Sequence, residues 1–170
     1  ATGAEKELTT AIGLDANYQP AYSAYANLLV SQNRTDEALA QYKTALEKRP
    51  TAQVYTLLGI LENSRGNTTE AEQAYRKALE LAPETPIAAN NLAWLIADNQ
   101  GNLDEALQLA TMVVSKNQSV PGYYDTLGWI YLQKGLTSPA VRTRPASRSR
   151  TSACAPRSGA GARRVSWLRE

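Results

Sequence analysis

The sequence predicts an all-α protein built as a solenoid of helix-turn-helix units, and three observations carry that expectation. The chain repeats itself: "AYSAYANLLVSQNRTDEALAQYKTALEKRP" ends at Pro50 and "AQVYTLLGILENSRGNTTEAEQAYRKALELAP" ends at Pro83, 33 residues later. Each copy holds two stretches of helical apolar periodicity joined by a short turn. Stop signals recur at matching places, with Asn33, Gly66, Gly101 and Gly135 in the turns and Pro50 and Pro83 at the ends of copies. Gly and Asn accept the left-handed conformation that ends a helix, and Pro prevents a helix from continuing.

The copies follow one another in register. Residues 20–50 and 52–83 agree in phase at Tyr22 and Tyr55, Ala26 and Gly59, Ala38 and Ala71, Tyr42 and Tyr75, and Ala45 and Ala78. A third copy over 86–118, "IAANNLAWLIADNQGNLDEALQLATMVVSKNQ", has one extra residue in its turn, and a fourth opens as "PGYYDTLGWIYLQKG" and is incomplete over 121–140. Ala26, Gly59, Ala93 and Gly128 in the first helices, with Ala38, Ala71 and Ala106 in the second, let paired helices approach closely, and Tyr42 and Tyr75 fill the space beyond them. Thr69 with Glu72, and Asn102 with Glu105, have the spacing of capping boxes or near equivalents that start a second helix.

Composition narrows the function. The chain has 170 residues with no His, no Phe and a single cysteine, Cys154, which removes imidazole acid-base chemistry, His-Cys zinc sites and any internal disulfide. No apolar run approaches the roughly 20 residues needed to span a bilayer. No signal peptide is visible at Ala1, and a chain that does not begin with Met leaves room for a targeting segment upstream.

The phased residues resemble the tetratricopeptide repeat, whose pattern places a large residue, Leu-Gly or a like pair, Tyr, Ala, an aromatic, Ala and Pro over about 34 positions. The resemblance covers residues 4 to 135. On it, "AEKELTTAIGLDAN", 4–17, is half a repeat, the second helix of a unit whose first helix is missing. It implies a right-handed superhelix whose first helices line a concave groove, and a non-enzymatic scaffold that binds a protein or peptide there, with no small-molecule substrate, cofactor, metal or catalytic residue. Carried across repeat by repeat, the groove positions are Ser23, Asn27 and Ser31; Thr56, Ile60 and Asn63; Asn90, Trp94 and Asp98; and Asp125, Trp129 and Gln133. The carboxylate clamp of chaperone adaptors is not expected, because Asn27 fits one of its positions while Ser23, Leu57, Ile87 and Asn91 stand at others.

Trp94 and Trp129 occupy one position of consecutive repeats, 35 residues apart. Tryptophan is enriched among binding hot spots; the other reading of the pair is structural, each ring packing on the next repeat. Asp36-Glu37 and Asp104-Glu105 match the loop-to-helix position, where acids complement the helix dipole, rather than a catalytic pair. "NNLAWLIAD" and "DTLGWIYLQKG" are similar to boxes of bacterial multi-repeat proteins, including ones linked to exosortase and exopolysaccharide export. A bacterial cytoplasm and a periplasm or envelope both remain open as compartments, and a larger envelope protein is one source of such a fragment.

The net charge of +2 hides a split. Residues 1–140 carry 10 Lys and Arg against 15 Asp and Glu, whereas residues 141–170 carry 8 Arg against Glu170 alone. Read as it stands, this Arg/Ser-rich tail buries too little apolar surface to order itself. Its arginines could neutralise phosphates on a nucleic acid or an anionic surface, but Trp167 is the only aromatic available for stacking. Codon structure favours a third reading, a shifted frame. If "ASRSRTSAC" uses TCN serines and CGN arginines, reading from the third base turns Ala-Ser, Arg-Ser and Thr-Ser junctions into Leu, Val, Ile or Phe. Ser-Arg junctions then become Ala, Ser, Thr or Pro, an apolar-small pattern like that of a repeat helix. An array left without a polar capping helix at its C-terminal end is expected to be marginally stable and to self-associate there.

Overall fold

Local start and stop signals set the helix boundaries. The computed structural model describes residues 3–15 and 18–135, so the tail and the expectations attached to it lie outside the described residues. Among the described residues there are eight helices and no strand: α1 (Gly3–Leu14), α2 (Gln19–Ser31), α3 (Thr35–Lys48), α4 (Ala52–Ser64), α5 (Thr68–Leu81), α6 (Pro86–Asp98), α7 (Leu103–Lys116) and α8 (Pro121–Gln133). Pro86 and Pro121 open α6 and α8, where a missing N–H costs nothing. The Thr51 hydroxyl caps α4 by accepting from the Val54 N–H at 3.3 Å.

The turns correct two expectations. Asn33, Gly66 and Gly135 have positive φ, but in the third turn the left-handed residue is Gln100 and not Gly101. The left-handed residue keeps its place in the register, seven positions after Ala26, Gly59, Ala93 and Gly128, and the extra residue of the third turn follows it. Arg34, Asn67 and Gly101 are therefore equivalent, each donating its N–H to the carbonyl five residues back, at Leu29, Glu62 and Ile96. That is the longer bond of a Schellman cap. Gly101 is small for another reason, since a Cβ there would stand 3.2 Å from Ile96 Cγ2 and 3.3 Å from the Ile96 carbonyl oxygen. The second correction concerns capping. Asn67, not Thr69, holds the N-cap position of α5, which puts Thr69 inside the helix. Asn102 does cap α7, accepting from the Asp104 and Glu105 N–H groups at 3.1 and 3.2 Å, but the Glu105 carboxylate pairs with Arg76 rather than completing a capping box.

Helices pair as α2 with α3, α4 with α5, and α6 with α7. Size complementarity sets how closely. A Cβ on Gly59 would lie 2.5 Å from Tyr75 Cε1, so the ring of α5 rests directly on the α4 backbone. In the third pair the ring position is Ala110, opposite Ala93, and both are buried. Buried Ala, Leu and Tyr form one cluster from Tyr22 to Leu61 and a second from Ala71 to Ile130.

Stacking of the pairs is tied by a recurring ion pair. A base near the turn of one unit reaches back to an acid in the first turn of the preceding second-type helix: Arg34 to Glu5 at 3.0 Å, Arg65 to Asp36 at 2.6 Å, and Lys134 to Asp104. Each acid also sits at the positive end of its helix. The third turn has Asn99 where Arg65 and Lys134 stand. First helices stack unevenly: α4 touches α6 and α6 touches α8, whereas α2 and α4 make no comparable contact.

Candidate functional site

The gap between α2 and α4 is a cleft of about 420 Å³. Its walls include Asn27, Val30 and Tyr42 on one side and Leu57, Ile60 and Ser64 on the other. Asn27 lies four residues before Ser31 and one helical face carries both, because positions i and i+4 stand one above the other. The Tyr42 hydroxyl donates to Asn27 Oδ1 at 2.6 Å, which fixes the amide at the mouth of the cleft. Burial pushes the Tyr42 phenol up to about 12, so it remains a donor at neutral pH. Burial also raises the Tyr75 phenol, partly opposed by a hydrogen bond with Asn91.

The other groove positions divide by exposure. Ser31 is exposed, with its hydroxyl donating to the Leu28 carbonyl at 2.6 Å. Thr56 is buried and its hydroxyl donates to the Ala52 carbonyl at 2.7 Å, so it presents no free donor. Asn63 is half-buried and stands one residue off the column: adding the 33-residue period to Ser31 gives Ser64, an exposed residue that lines the cleft. That arithmetic was available from the sequence, and Ser64 is the residue it should have supplied.

On α6, Asn90, Trp94 and Asp98 follow at intervals of four, as Asp125, Trp129 and Gln133 do on α8. Asn90 is only 5 % exposed, and its Oδ1 is the one buried side-chain polar atom without a hydrogen-bond partner among the described residues. Trp94 is half-buried and packs on the core cluster, while Trp129 is 37 % exposed. Asp98 is half-buried, and Asp125 and Gln133 are exposed. The cleft thus joins Asn27 to Ile60 and Ser64, and α6 against α8 carries the two tryptophan stripes.

Among the described residues no three His, Cys, Asp or Glu side chains gather as metal ligands, and no helix is long and apolar enough to cross a membrane. The cations nearest in sequence to the α6–α8 stripes are engaged elsewhere, Lys134 with Asp104 and Lys116 with Glu84.

A family profile described as tetratricopeptide repeat matches residues 23–86 and 65–122. The photosystem I assembly protein Ycf3 of Synechococcus sp. is 32% identical over an alignment of 136 residues that covers 69% of this chain and 78% of that protein. A Pseudomonas putida protein named as a biofilm formation methyltransferase, WspC, is 38% identical over 82 residues, 48% of this chain. The chain spans 19% of WspC and 17% of anaphase-promoting complex subunit 6 of Arabidopsis thaliana, a small part of each. Among solved structures, MamA superposes with a TM-score of 0.69 at 20% identity, covering 82% of this chain and 76% of that one. YrrB, described as a TPR protein with an unusual peptide-binding site, superposes at 0.66 and 22% identity, covering 81% and 71%. At those identities the likeness is one of fold.

Proposed function

We propose that this chain, which belongs to the tetratricopeptide repeat family, holds a peptide or partner helix against its first-helix face and performs no catalysis of its own. The tetratricopeptide solenoid is a protein-interaction scaffold, and the finer reading concerns where the partner sits. The observation that carries it is the open cleft between α2 and α4, about 420 Å³, whose apolar walls could take one side chain while Asn27 at its mouth offers an amide. A pocket that is mostly apolar with a few placed polar groups is the usual form of a recognition site. The chain's lack of His supports a non-catalytic role.

A random dodecapeptide library selected against the 170-residue chain tests this. Ser64→Trp should fill the cleft from an exposed position, and Trp129→Ala should truncate the most exposed aromatic of the stripes. Selected peptides are expected to lose about tenfold or more in affinity for either variant, with the circular dichroism of both unchanged. Peptides that bind both variants as tightly as the parent would refute groove binding.

A further inference from the structure

We infer that the α6–α8 end of the groove takes an extended segment of a partner protein that carries an arginine or lysine; this rests on the groove reading above. Four features of the two helices converge on that chemistry.

The first is charge. Across the groove positions from Ser23 to Gln133 there are two acids, Asp98 and Asp125, and no Lys, Arg or His. Asp125 is exposed, with no cation in ion-pair range among the described residues, and the nearby Lys116 and Lys134 are occupied by Glu84 and Asp104. An anionic ligand would meet the charge of Asp125, whereas a cation would be drawn to it.

The second is the pairing of indoles. Trp94 and Trp129 hold equivalent positions on adjacent, touching helices, each within a stripe that also bears an acid. An indole face attracts a guanidinium or ammonium group and strengthens the hold of a neighbouring carboxylate on the same cation.

The third is Asn90, one turn before Trp94. Its Oδ1 is buried and lacks any donor. A buried acceptor left unsatisfied is costly, and a donor that reaches it relieves that cost, whereas a ligand carbonyl or carboxylate cannot. A peptide backbone or a guanidinium supplies such a donor.

The fourth is contrast along the groove. At the other end, Arg65 lines the α2–α4 cleft and is already engaged by Asp36, and the walls there are mainly apolar. The polarity of the groove therefore sets a direction, with an apolar anchor toward α2 and a basic residue toward α8.

The same library separates this inference from the groove reading. Selected peptides should be enriched in Arg and Lys and poor in Asp and Glu. A synthetic copy of the tightest binder should weaken about threefold with Asp125→Asn, an exposed change that leaves the fold alone, and should weaken as NaCl rises to about 0.5 M. Replacing its key Arg by Gln should cost about tenfold. Asn90→Leu should weaken binding while raising the unfolding midpoint, since it removes an unsatisfied buried group; a purely structural Asn90 would alter stability alone. Binders that need Ser64 and Trp129 but carry acidic or apolar residues instead would overturn the basic-ligand inference and leave the groove reading standing. Failure to select any binder would overturn both.

Discussion

Gly59 on α4 and Gly128 on α8 occupy the same position of their first helices, yet alanine should act on them with opposite signs. At Gly59 the new methyl carbon would lie 2.5 Å from Cε1 and 2.7 Å from Cδ1 of Tyr75, well inside van der Waals contact. Tyr75 is 1% exposed, so its ring is enclosed on all sides. Overpacking of this kind costs about 1–3 kcal/mol, against a helix-propensity gain of about 1 kcal/mol for Gly to Ala. The net expectation is a loss of about 1 kcal/mol. At Gly128 nothing lies within 4 Å of the built Cβ, so only the propensity gain of about 1 kcal/mol remains. Urea unfolding followed by circular dichroism at the helical band reads both. With a slope of about 2 kcal/mol per molar, the two midpoints should move about 0.5 M in opposite directions. The close-approach reasoning fails if Gly59→Ala raises the midpoint as Gly128→Ala does, because the α4–α5 pair would then have slack that the structure does not show.

Two further outcomes follow from the ion pairs. The hydrogen bond from Arg34 holds the Glu5 and Glu37 carboxyls below their ordinary value of 4.5, and Lys116 does the same for Glu84. Groups with depressed values contribute stability that is present above 4.5 and lost as pH falls through the lower folded-state values. The urea midpoint should therefore be level near neutrality and drop below about pH 4.5, and Arg34→Gln should flatten that drop; an unchanged acid limb in Arg34→Gln would remove these carboxylates as its cause. Asn99 stands where Arg65 and Lys134 make their backward contacts, with Glu70 in the first turn of α5 as the available acid. Asn99→Arg should stabilise the array by about 0.5 kcal/mol, a gain that about 0.5 M NaCl abolishes; a gain that survives salt would mean that something other than an ion pair produced it.

Much of the fold is legible because it is written in local signals. The 33-residue period, the alternation of helix pairs and the stops at Asn33, Gly66 and Gly135 depend on backbone conformation and apolar spacing within a few residues. The candidate site is less legible. Asn27, Ile60 and the tryptophan stripes follow from register, but Thr56, one turn before Ile60 on α4, is buried with its hydroxyl occupied, and Asn63 lies beside the column that Ser64 continues. Register says which face a residue is on; it does not say how far the neighbouring helix stands from that face.

The sequence by itself determined that the chain is a tetratricopeptide array with paired helices, small residues at their crossings and a polar first-helix face. Only tertiary structure decided that Gln100 rather than Gly101 takes the left-handed conformation, that α2 and α4 part to leave a cleft, and that Asn90 is buried with an unanswered acceptor. The physical reason is range. Helix formation and termination are settled by hydrogen bonds within five residues, whereas the spacing of first helices depends on which side chains meet from units some 30 residues apart.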